Sequence, residues 1–159
     1  MNSSSVKTGV SFGVASGAIT TLGVMIGLYF GTFSRGIVLA GILTVAISDA
    51  FSDAMGIHFA EETEGVHTTK EIWIATITTF IAKFVITMSF FFPILYFPIK
   101  LAIVWNCIWS FLLVGSFTFY ICRKQKKSPL KAISEHYLLM IVVMFVTYYS
   151  GRFIDKMFV

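Results

Sequence analysis

The chain has 159 residues, 57% of them hydrophobic and only 13% charged, with 17 phenylalanines and a formal net charge of +4; its mean hydropathy is +0.84. A soluble globular chain carries about 25% charged residues, so this composition excludes an ordinary water-soluble domain and points to lipid as the solvent. The positive balance does not point to nucleic acid: Arg123, Lys124, Lys126, Lys127 and Lys131 gather in one short loop between apolar runs, the usual place for topology-setting charge, without the basic face or zinc-finger spacing of a nucleic-acid binder.

A helix needs about 20 mostly apolar residues to cross a bilayer. Five segments meet that length, predicting an all-α, polytopic membrane protein whose residues 1–159 form a single transmembrane domain. The first segment runs from about Val10 to Phe33. The Lys7 and serine-rich stretch before it lacks the pattern of a cleaved signal peptide, so this segment is expected to be retained. Its glycines Gly13, Gly17, Gly23, Gly27 and Gly31 are read as one small-residue stripe for close packing, within the chain or across a dimer. The second segment runs from Gly36 to about Ala60, with Gly36, Ala40, Ala46, Ala50 and Ala54 in a similar role. The third, Ile72 to Phe97, carries Lys83 near its middle and is kinked or ended by Pro93 and Pro98. The fourth runs from Ile99 to Cys122. Its Cys107 and Cys122 lie about 22 Å apart at 1.5 Å per residue, too far for a disulfide within one helix. Its Asn106 and Ser110, one turn apart, suit interhelical hydrogen bonds. The fifth runs from about Tyr137 to Phe153, with Glu135 and His136 at its start, where an acid suits the helix dipole. Placing the N-terminus in the cytoplasm puts Lys7, Lys70 and the basic loop inside, and Arg35, Lys100, Arg152 and Lys156 outside. The positive-inside rule therefore predicts a cytoplasmic N-terminus and an external C-terminus.

The second segment contains Ser48-Asp49-Ala50-Phe51-Ser52-Asp53-Ala54-Met55-Gly56-Ile57-His58, followed by Glu61 and Glu62. Asp49 and Asp53 are one turn apart and share a face; Ser52 and Gly56 fall within about 60° of it at 100° per residue. A carboxylate at the bilayer centre costs about 2.5–3.5 kcal/mol even on the lenient insertion scale, and two one turn apart also repel. Such a pair needs a cation, a proton path or a basic partner. A structural ion pair with Lys83 is one solution, but a lone lysine leaves one carboxylate unmatched. A divalent or proton-coupled cation site is the other, unless the pair lies nearer the membrane edge. Carboxylate and hydroxyl oxygens suit hard cations, and the Met55 thioether tilts the set toward a first-row transition metal, although methionine is also common core filler. Asp49, Asp53, Ser52 and Met55 are thus the candidate metal ligands. His58, Glu61, Glu62 and Glu64, with His67, form either an acidic metal-entry vestibule or a solvated helix end. Thr20 and Thr21 either face the site or bond back to their own helix. No phosphate loop, HExxH, CxxC or GxSxG occurs, so neither catalysis nor a cofactor is expected.

The run Ser16-Gly17-Ala18-Ile19-Thr20-Thr21-Leu22-Gly23-Val24-Met25-Ile26-Gly27-Leu28 resembles the first helix of the vacuolar iron transporter (VIT) family, which typically shows an Asp-Gly pair, then Thr-Thr and a Gly-rich run. Ala54-Met55-Gly56 is similar to that family's Ser-Met-Gly/Ala element, with Glu61 or Glu62 where acidic residues close its second helix. The resemblance covers roughly the first 65 residues; beyond them only the hydropathy agrees. It implies a homodimer in the plasma membrane or a vacuole-type membrane that moves Fe²⁺ or Mn²⁺ out of the cytosol in exchange for protons. The ion path would follow helices one and two at the dimer interface, with Met55 a ligand, Asp49 or Asp53 the acidic ligands, and Ser16 and Thr20 lining the pore. Two departures stand out. The family's helix-one aspartate is Ser16 here, and its long acidic domain is reduced to the stretch Glu61 to Lys70. The alternative is a non-transporting membrane subunit in which Asp49, Asp53 and Lys83 form a structural ion pair for partner docking.

Overall fold

The computed structural model describes residues 3–158. Among them all regular structure is helical, in five long helices: α1 (Ser3–Thr32), α2 (Arg35–Glu64), α3 (Thr69–Tyr96), α4 (Ile99–Lys124) and α5 (Pro129–Phe158). Each is long and apolar enough to cross a membrane, and the chain is a multi-pass membrane protein. Its outer surface agrees: Trp73, Ile77, Ile81 and Val85, one turn apart along α3, are each more than half exposed, a disposition suited to hydrocarbon rather than water.

Local chemistry sets the helix ends. Phe33 takes a left-handed turn (φ 50°), and Ser34 caps α2 by accepting from the Ile37 amide at 3.4 Å. Gly65 closes α2 at φ 66°, a conformation that suits glycine. Thr68 and Glu71 then form a reciprocal capping box at the start of α3, satisfying two amides that the first helical turn leaves free. Pro93 lies within α3 without ending it, and Pro98 stands immediately before α4. α1 and α5 extend beyond the apolar runs that announce them. α1 starts at Ser3 and α5 at Pro129, because hydropathy marks only the stretch suited to lipid while the hydrogen-bond ladder continues through polar residues. Glu135 and His136 accordingly lie within α5 rather than at its start.

α1 is the central helix. It packs most extensively on α3, then on α5, and touches α2 and α4. Its glycines serve two faces rather than one stripe. A Cβ on Gly13 would stand 2.7 Å from the Thr79 carbonyl oxygen of α3, whereas one on Gly31 would stand 3.3 Å from Gly151 of α5. The six-residue step from Gly17 to Gly23 breaks the four-residue spacing and rotates the second group by about 240° at 100° per residue.

The buried polar side chains are largely satisfied nearby. Thr76 and Thr79 donate to carbonyls one turn back. Thr21 does the same to Gly17, at 2.5 Å. Asn106 donates to the Phe90 carbonyl at 2.9 Å, and Ser110 donates to that of Ala18 at 3.4 Å. Lys83 is different, since it carries a charge and its partners are side chains of α1 and α2.

Candidate functional site

α2 is not a regular helix. Between α-helical stretches Arg35–Thr44 and Ala50–Glu64, residues Val45–Asp49 form one wide π-type turn. Its physical cause is a period mismatch. Buried residues recur at every fourth position, Val38, Ile42, Ala46, Ala50 and Ala54, with Val45 of the wide turn buried beside them. A straight α-helix turns about 40° too far for each such step, and one extra residue in a turn sets the face back by about 100°. Such turns are frequent at functional sites, and this one ends on Asp49.

That register directs both aspartates at α3. Lys83 is fully buried near the middle of the 28-residue α3. Its ammonium lies 2.5 Å from Asp49 Oδ2, pairs with Asp53 Oδ2, and donates to Ser16 Oγ of α1 at 2.9 Å. Ser16 in turn donates to Asp53 Oδ2, at 2.5 Å. The contact to Asp49 is a charge contact rather than an aligned hydrogen bond, while those to Asp53 and Ser16 are hydrogen bonds. Of the three N–H donors of the ammonium, two are thus taken up by Asp53 and Ser16. Gly13 and Gly17 make this geometry possible: Cβ atoms there would meet the Lys83 backbone, its amide nitrogen at 2.9 Å and its carbonyl oxygen at 3.3 Å. Their hydrogens let α1 approach closely enough for Ser16 to reach the lysine.

With all three groups ionised the cluster carries one positive and two negative charges, and burial is uneven across it. The Lys83 side chain is 0% exposed, Asp53 20% and Asp49 36%. The cluster is sealed on the lysine side and opens through Asp49, at the edge of the α2 face that no other helix covers. Along that face Gly36, Ala40, Thr44, Ser48, Ser52, Gly56 and Ala60 are all exposed, each four residues from the next.

The remaining candidates divide. Ser52 and Met55 project from the uncovered face of α2, Met55 with 43% exposure, and take no part in the hydrogen bonds and ion pairs of the cluster. Thr20 is half-buried on α1, outside the cluster's hydrogen bonds. At the far end of α2, Glu61 and Glu64 converge on His67 Nε2 at 3.2 and 3.7 Å. Glu62 is exposed, and His58 turns instead to Thr76 Oγ1 at 3.0 Å and the Trp73 ring. The residues of this helix end therefore form two separate groups. Among the described residues, no three His, Cys, Asp or Glu side chains meet in an arrangement that could hold a metal ion. What one copy offers a cation is two carboxylates already facing an ammonium.

Sequence reasoning missed the wide turn and the triple role of Lys83. The unbroken four-residue repeat of small residues from Gly36 to Ala60 is the signal that could have revealed the first. No family model matches the chain, and no curated protein or solved structure shows significant similarity to it.

Proposed function

We propose that this protein carries a divalent transition-metal cation, Fe²⁺ or Mn²⁺, out of the cytosol in exchange for protons, along α2 where two copies pair. The observation that supports this reading is the charge count of the buried cluster: two aspartates answer one lysine near the middle of their spans. The unmatched negative charge lies toward the open side, at Asp49. An ionisable group held at such depth marks an ion or proton pathway by default. A divalent cation entering between the carboxylates would have to displace the Lys83 ammonium, and a proton delivered to an aspartate from the outer side would release the metal, which links metal movement to proton movement.

The open face of α2 supplies the rest of the reading. Its small residues permit a second copy to approach closely, and the paired faces would bring Ser52 and Met55 from each copy beside Asp49. The resemblance of the first 65 or so residues to the VIT family, together with the lysine and arginine distribution that favours a cytoplasmic N-terminus, supports the same direction of transport. The host membrane would be the plasma membrane or a vacuole-type membrane.

A second reading has its own observation. Lys83 already touches both carboxylates and Ser16, as a fixed structural pin would, and the chain would then be a non-transporting subunit that docks a partner. Metal flux in proteoliposomes separates the two. The transport reading expects Asp49→Asn and Asp53→Asn each to abolish flux while the protein stays folded. Undiminished flux in both variants would establish the pin instead.

A further inference from the structure

A second site stands at the end of the bundle where the start of α1 meets the end of α4. Between these helices lies a crevice of about 430 Å³. Its walls are apolar: Val6 and Val10, one turn apart on α1, face Phe117 and Ile121, one turn apart on α4. Lys7 and Lys124 line it as well, and among the described residues no carboxylate does. The Lys124 ammonium lies 4.4 Å from the centroid of the Tyr120 ring, a cation–π contact that keeps the charge beside the crevice. Arg123, Lys126 and Lys127 follow immediately or flank it in sequence and add to the positive field.

We propose that this crevice binds an anionic phospholipid, its phosphate between Lys7 and Lys124 and the upper part of an acyl chain along Val6, Val10, Phe117 and Ile121. Three features select that ligand class. Among the described residues no carboxylate faces the two ammonium groups, which leaves them to complement a phosphate. The apolar walls run down from them along the helices, as an acyl chain does below its headgroup. The position, at the ends of two spans, is the depth at which headgroups lie, and basic crevices between membrane helices are known settings for anionic lipid. A soluble phosphate would satisfy the lysines but leave the apolar walls without a partner.

The test is native mass spectrometry of the full chain released from detergent, with phosphatidylglycerol, phosphatidylcholine or inorganic phosphate added. Two lysines acting on one headgroup predict binding of phosphatidylglycerol about thirtyfold tighter than phosphatidylcholine. The double substitution Lys7→Gln with Lys124→Gln should bring the two lipids level without changing the thermal midpoint, since both side chains are exposed. Lys126→Gln with Lys127→Gln, outside the crevice, should leave the preference within about threefold. Equal binding of the two lipids in the unaltered protein would overturn the proposal, as would a preference that survives loss of Lys7 and Lys124. A preference lost equally in the loop variant would replace the crevice with a diffuse surface field. Phosphate adducts that need the same two lysines and displace the lipid would make the ligand a soluble anion.

Discussion

Small residues recur every four positions on both α1 and α2, yet the two helices use them in opposite ways. On α1 the gaps are filled from within the chain. Gly13 and Gly17 receive the backbone of α3 around Lys83, and Gly31 receives that of α5 at Gly151. On α2 the repeat from Gly36 to Ala60 faces outward along its whole length, and a Cβ on Gly56 would meet nothing within 4 Å. A four-residue repeat of small side chains therefore announces that a backbone can come close, but not whose. The candidate site lies on the boundary between the two regimes, with Ser16 on the filled side and Asp49 at the margin of the open one.

The largest expected effect lies on the filled side. Lys83→Met leaves two carboxylates facing each other without a counter-charge and should cost about 3–5 kcal/mol, read as unfolding by denaturant in detergent micelles. Adding Asp53→Asn to it should recover part of that loss; a double variant no more stable than Lys83→Met would show that the lysine stem, not its charge, holds the helices. Gly13→Ala comes next, at about 1–3 kcal/mol, because its methyl would press on the backbone of α3. Ser16→Ala should cost about 1 kcal/mol for its hydrogen bonds in the cluster. The smallest effect belongs to the open side: Gly56→Ala should change the stability of a single copy by less than about 0.5 kcal/mol. A bulkier Gly56→Phe should leave that stability similar but separate paired copies, as measured by light scattering corrected for detergent. If Gly56→Ala proves as damaging as Gly13→Ala, the contrast between the two helices fails.

The five spans were legible because each needs an apolar run of fixed length, and that requirement leaves a mark in any sequence. The helix starts at Ser3 and Pro129 were not, since a helix can continue into water without any change in hydropathy. Lys83 could be matched to Asp49 or Asp53 by depth alone. That it meets both, with Ser16 as a third partner, depends on helix rotation. Rotation here follows from a wide turn at Val45–Asp49, in a stretch with neither proline nor glycine to mark it. Ser52 and Met55 illustrate the same limit. In the regular stretch after the turn they stand about 100° and 160° around the helix from Asp53, so the rotation that aims Asp53 at Lys83 leaves them on the face that the rest of the chain does not cover.

The Asp49–Lys83–Asp53 contact also bears on how the chain is made. α2 emerges from the ribosome before α3 and carries two charges that have no counter-ion until Lys83 arrives. α3, entering alone, would carry an unescorted ammonium. Each helix is costly to hand to lipid by itself, and the two together are much less so. The α2–α3 hairpin, joined by the short Gly65–Thr68 connection, is therefore the natural unit of insertion.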